Sequence, residues 1–206
     1  MKNKFWLTTC FLLLFSSAKA DNHVHFIVFG GFNSTKTITN LNTKQAVWSE
    51  AKMNYNFGAG FRFEFGTLFL QPEVYFTRKG GLDKAFRSNV TADTFNQHIN
   101  MQSIDLPIMF GLRLFHSEGF CLRLYGGPVL SYLKDQNVDI TKNGSRLSDI
   151  RARTRAFSMQ IGAGVDITRR FTFDVRYEHA FSPMLRISDF KTSYRVTYFT
   201  LGIKLF

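Results

Sequence analysis

FTFDVRYEHAF, Phe171 to Phe181, sorts its residues by parity. Phe171, Phe173, Val175, Tyr177, His179 and Phe181 hold the odd positions. Thr172, Asp174, Arg176, Glu178 and Ala180 hold the even ones. Side chains of an extended chain point alternately to two faces, so this stretch is a strand with one aromatic face and one face bearing both signs of charge. The fold turns on which face lies inside.

The alternation recurs along the chain and predicts eight strands, at about 24–33, 53–64, 67–79, 101–114, 119–132, 155–167, 170–181 and 194–206. Each has roughly the 9–11 residues of a tilted membrane strand, or somewhat more. No stretch carries a helical period, low complexity or the start of a second domain. Three connections are tight: Phe65-Gly66-Thr67, Phe115-His116-Ser117-Glu118 and Thr168-Arg169. The other four, about 34–52, 80–100, 133–154 and 182–193, are expected to be long and polar. Short and long alternate throughout, as in an up-and-down barrel with its turns at one end and its loops at the other.

The polar faces of these strands collect Glu64, Glu73, Asp105, Asp166, Asp174 and Glu178 with Arg62, Arg113, Arg123, Arg176 and Lys204, and Lys79 near a strand end. Enclosed in a narrow lumen, such a set must pair, because a lone desolvated charge costs several kcal/mol. Glycines 58, 60, 111, 162 and 164 on the same faces leave room for long Arg and Glu side chains. The alternative is a soluble, lipocalin-type barrel with the apolar face inside. An eight-stranded interior is only just wide enough for side chains or one small ligand, and about a dozen aromatic rings would overfill it. Aromatics also sit near both ends of the apolar face: Tyr55 and Phe65, Phe120 and Tyr132, Phe171 and Phe181. Rings placed so are expected at the two membrane interfaces. The expected fold is therefore all-β: an eight-stranded antiparallel up-and-down transmembrane β-barrel, charge inside and apolar side chains outside. Pro72, Pro107 and Pro128 fall within strands, each removing a ladder donor, and are expected to mark bulges.

MKNKFWLTTCFLLLFSSAKA, residues 1–20, has early lysines, a short apolar centre and an Ala-Lys-Ala end, the pattern of a secretory signal peptide. The barrel is then expected to occupy 21–206, integral to a cell's outer membrane, monomeric, with both termini periplasmic. Losing Lys2, Lys4 and Lys19 lowers the formal net charge from +11 to +8. Nucleic acid is not an expected partner of an exported chain; outer-membrane lipid and lipopolysaccharide phosphates are. Cys121 alone remains after cleavage, so no internal disulfide is expected. Cleavage after Ala20 exposes Asp21-Asn22-His23, and a free amine, two amides and the His23 imidazole form a square-planar set suited to Cu(II) or Ni(II). No cofactor is expected elsewhere.

LQPEVYFTRKGG (Leu70–Gly81) and YFTLGIKLF (Tyr198–Phe206), with YGGP at 125–128 and Gly162-Ala163-Gly164, carry a resemblance. The chain resembles the outer-membrane β-barrel domain family widespread in Bacteroidota, often labelled "porin family" or PorT-like. The resemblance implies an eight-stranded barrel of the small OmpA and OmpX type. For PorT members it implies a link to type IX secretion. One departure is that Leu205, and not the terminal Phe206, is in phase with the apolar face.

Catalytic readings are weak. His116-Ser117-Glu118 has the residue types of a hydrolase triad, but a triad needs geometry, not adjacency. It also sits in a tight turn, away from the outer leaflet where a lipid A-modifying enzyme would act. His98 and His179 have no serine placed beside them. Matched acids and bases favour a structural plug over acid–base work, and eight strands leave no channel. Lys36, Lys44, Lys52, Lys142, Arg146, Arg151 and Arg153 line the loop side and are candidate contacts for phosphates or proteins. The expected role is a non-enzymatic scaffold engaging secretion or surface proteins through its loops; the rival is a lipid-modifying barrel enzyme.

Overall fold

A computed structural model describes residues 23–205, apart from 42–45, 49–50, 88–93, 118, 143–144, 147–150, 153, 169, 182–184 and 188–189. Eight long strands run in chain order: His23–Leu41 (β1), Lys52–Phe65 (β2), Leu68–Arg87 (β3), Thr94–Ser117 (β4), Phe120–Lys142 (β5), Arg155–Ile167 (β6), Phe171–Ala180 (β7) and Phe190–Lys204 (β8). Each pairs antiparallel with the next. β8 returns to β1, from Ile27 opposite Lys204 to Leu41 opposite Phe190, and closes the barrel. Short ladder pieces at Ala46–Trp48, Ser145–Arg146, Arg151–Ala152 and Leu185–Ile187 extend one end.

The tight turns gather at the opposite end. Phe65 faces Leu68 across a two-residue loop whose first residue, Gly66, has φ 63°. That left-handed conformation costs glycine nothing and suits a two-residue hairpin. Thr168 after β6 adopts φ 60° without being glycine. Its amide donates to the Gly119 carbonyl at 2.8 Å, and its Oγ1 accepts from the Arg170 amide at 3.4 Å.

Several strands outrun the sequence expectation. β1 continues to Leu41, β3 and β4 run to Arg87 and from Thr94, β5 reaches Lys142 and β8 starts at Phe190. Much of the four expected long loops is thus ladder. Side-chain alternation marks only where a strand separates an apolar from a polar surroundings; backbone pairing continues beyond that point. The prolines also correct an expectation. Pairs drop out of the ladders beside Pro72, Pro107 and Pro128, as the lost donors imply, but the register is the same on either side of each. The irregularities lie instead between Gln102 and Ser103, between Arg113 and Phe115, and between Asp83 and Phe86. A proline deletes one donor without adding the extra residue that defines a bulge.

The two faces separate cleanly. β7 alternates exposed and buried from Phe171 to Glu178. Phe57, Phe110, Ile161, Leu201 and Phe32 stand on the outside, between 54% and 63% exposed. Tyr55, Phe65, Phe120, Tyr132, Phe171 and Phe181 are exposed there too. Arg62, Lys79, Arg123, Asp174 and Glu178 have no exposure at all. Charge lies inside and the apolar surface outside, the reverse of a soluble barrel.

Candidate functional site

The lumen is filled by side chains from all eight strands, in storeys. At the turn end, Glu64 receives Arg113 at 2.9 Å, with His25 Nε2 at 3.8 Å and Arg62 at 4.0 Å. Asp166 gathers three bases: Arg62 at 2.9 Å, Arg123 at 3.0 Å and Lys204 at 3.0 Å. Four strands meet on that one carboxylate, because β2, β5, β6 and β8 each send an inward side chain to it while β1 lies between β8 and β2 in the closed ring.

One level up, Asp174 accepts from Arg123 at 3.1 Å and from the Tyr125 hydroxyl at 2.5 Å. Arg123 also donates to Thr172 Oγ1. Arg176 clasps Glu73 with two guanidinium nitrogens and donates from Nε to the Tyr125 hydroxyl at 3.0 Å. Gln71 accepts from Arg62 Nε and donates to Glu73, linking the levels. Charge is also spread over aromatic faces: Arg176 lies 5.2 Å from the Tyr125 ring centroid, 5.5 Å from Tyr75 and 5.6 Å from Phe29.

The loop-side storey is built on Lys79. Its Nζ is 3.0 Å from both Asp105 Oδ2 and Glu178 Oε1 and lies 4.8 Å from the Tyr194 ring centroid. Glu178 further accepts from Ser158 and Gln160 at 2.8 Å and from the Tyr198 hydroxyl at 2.6 Å. Met101, Leu133, Ala156, Ala180, Tyr194 and Val196 form a buried apolar cluster around it.

The structure brings together Arg62, Glu64, Glu73, Asp105, Arg113, Arg123, Asp166, Asp174, Arg176, Glu178 and Lys204. Lys79, placed by the sequence at a strand end, is instead central. Its signal was its phase: it continues the inward series Glu73, Tyr75, Thr77. The glycines divide. A Cβ at Gly164 would lie 2.2 Å from Asp174 Oδ1 and 2.6 Å from Arg123 Nη2, so this glycine makes room for the charge pair. Gly111 makes room for the Phe69 ring instead, and Gly58 for the Val74 carbonyl with Tyr75 beside it.

Other candidates stay apart from the network. His23 opens β1, exposed, its ring stacked on His25 with centroids 6.2 Å apart. Asp21 and Asn22 lie outside the described residues, as do the whole 1–20 segment and Phe206. Among the described residues no group of three or more His, Cys, Asp and Glu side chains is gathered as a metal ion would need. Ser117 is exposed at the turn end, Glu118 is outside the described residues, and His98 and His116 are described only as backbone. Lys36 and Lys52 are strand residues, not loop residues; Lys44 and Arg153 lie outside the described set.

The outer membrane protein beta-barrel domain family matches this chain over residues 15–186. The match stops before β8, which the ladder to β1 places within the same barrel. OprG from Pseudomonas aeruginosa is similar at 11% identity, over 92% of this chain and 99% of its own, with TM-score 0.52. The Neisserial surface protein A is similar at 12% identity, over 87% and 97%, with TM-score 0.51. The outer membrane enzyme PagL is similar at 14% identity, over 81% and 97%, with TM-score 0.42. At such identities the likeness shows the fold alone. No curated protein matches the chain in sequence.

Proposed function

This chain belongs to the outer membrane protein β-barrel domain family, and from that premise we propose that it is a non-enzymatic scaffold of the outer membrane whose loop end engages other proteins. The single observation behind this reading is the charge-paired lumen. Glu64, Glu73, Asp166, Asp174 and Glu178 are each matched by bases or donors, and a buried apolar cluster packs beside Glu178. A carboxylate held by two or three partners has no free proton-transfer role and leaves no path for solutes. What remains for function is the end bearing the longer connections, the usual place for binding on a rigid frame.

In this reading residues 1–20 are a signal peptide removed on export, the tight turns face the periplasm, and the loop end faces outward. Exposed Lys36 and Arg155 on the outer face of that end are placed to meet lipopolysaccharide phosphates. Within the family, the Leu70–Gly81 and Tyr198–Phe206 stretches favour a PorT-like accessory of type IX secretion in Bacteroidota; an OmpX-like surface protein is the other form of the same scaffold.

Cross-linking from the loop end in intact cells, with capture of the products, tests the reading. Defined secretion or surface proteins are the expected products. Lipid A extracted from a deletion strain is expected to keep its mass profile. A changed acyl pattern, restored by the gene, would replace the scaffold with a lipid-modifying enzyme.

A further inference from the structure

Two charged storeys face each other across a polar gap. Arg176, held by Glu73, stands on its turn side; Asp105, with Lys79 and Glu178 behind it, stands on its loop side. Between them is a cavity of about 10 Å³, about the volume that one water needs. Asn56, Tyr75, Thr77, Asp105, Gln160 and Thr200 line it. None of these six residues is more than 6% exposed.

Their polar atoms are orphaned. Asn56 Nδ2 and Oδ1, the hydroxyls of Tyr75, Thr77 and Thr200, and Gln160 Oε1 have no hydrogen-bond partner. Both oxygens of Asp105 lack an aligned donor, although Lys79 Nζ is 3.0 Å from Oδ2. Buried polar groups are almost always satisfied, and a cluster of exceptions around one small cavity points to a ligand there. The orphans are of both kinds. Asp105 and Gln160 Oε1 only accept; Asn56 Nδ2 only donates; the hydroxyls do either. A metal cation would satisfy the oxygens alone and would face the Arg176 guanidinium. An anion would face Asp105.

We infer that this cavity is a binding site for one water molecule, which donates to Asp105 and Gln160 and accepts from Asn56 and Tyr75. It joins the Arg176–Glu73 storey to the Lys79–Asp105–Glu178 storey in one continuous polar column. The inference is independent of what the loop end binds.

Two measurements test it on the full-length barrel. Tyr75→Phe deletes the hydroxyl that donates to the water, Thr200→Val deletes a lining hydroxyl that does not, and both keep the volume. If the cavity were dry, each would remove an unsatisfied group and raise or leave unchanged the urea midpoint in lipid vesicles. The wet site requires the Tyr75→Phe midpoint to fall while that of Thr200→Val does not. Crystals grown with rubidium give the second readout. A peak at hydrogen-bonding distance from Asp105 without rubidium anomalous signal is the expected result; an anomalous peak, or no density, overturns the assignment.

Discussion

Arg176 and Glu73, 103 residues apart in sequence, meet as a two-pronged pair, with Nη2 2.9 Å from Oε1 and Nη1 on Oε2. Both are buried. Such a geometry fixes two planes at once, which Lys cannot do. Removing one partner strands the other charge without water. Glu73→Ala is expected to lower the unfolding free energy in vesicles by about 3–5 kcal/mol. The double change Glu73→Leu with Arg176→Met is expected to recover much of that loss, since an apolar pair needs no desolvation. Urea titrations of the three variants check both statements. Equal losses in single and double variants would show that the pair is not what Glu73 contributes.

Gly164 is enclosed and Gly30 is not. An added Cβ at Gly164 meets Asp174 Oδ1 at 2.2 Å and Arg123 Nη2 at 2.6 Å, whereas at Gly30 nothing lies within 4 Å. Gly164→Ala must push apart an ion pair in a packed interior, and a loss of roughly 1–3 kcal/mol is expected. Gly30→Ala on the outer face is expected to be neutral or slightly stabilising, because it also restrains the unfolded chain. The difference between their urea midpoints is the measurement.

The outer face gives a depth-dependent prediction. Leu124 is 46% exposed, opposite Ala163 and Leu112, midway along β5's apolar run. Gln102, also outward, lies toward the loop end. Leu124→Arg is expected to cost ~2–4 kcal/mol in a bilayer and Gln102→Arg about 0–1. Folding yields into vesicles, read by the heat-dependent gel shift, should rank the two in that order. The same outer face bathed in water instead of lipid would tolerate both.

The strands' faces were legible in the sequence because a period of two is unambiguous once one face is charged. FTFDVRYEHAF alone assigns Asp174, Arg176 and Glu178 to one side. Partners were not legible. Nothing in the local sequence says that Arg176 takes Glu73 or that Asp166 takes Arg62, because those choices depend on strand stagger around a closed ring. Lys79 was misplaced for a related reason: alternation fades near Gly80-Gly81, while the β3–β4 ladder continues to Arg87 opposite Thr94. The cavity at Asn56 and Thr200 had no sequence signal, since which inward polar side chains find partners depends on the strand stagger across the lumen. Lys79→Met therefore tests what the structure added. It leaves Asp105 and Glu178 without their shared base. A loss of about 3–5 kcal/mol is expected, equal to that of a pair broken in the middle storey. A strand-end lysine would cost almost nothing.

Cys121 reports on which face is inside. It follows outward Phe120, precedes Arg123 by two, and is only 5% exposed while Phe120 is 47%. Its thiol is free. In the Cys10→Ser chain folded in vesicles, it is expected to resist a water-soluble maleimide over the time that the same chain in urea reacts completely, because access to the lumen requires opening the Asp166 cluster. Phe120→Cys, made with Cys121→Ser, places the thiol on the other face and is expected to react with a lipid-soluble maleimide. A barrel turned inside out would exchange the two results. Rapid labelling of native Cys121 from water would contradict the packed, charge-paired interior from which the scaffold reading starts.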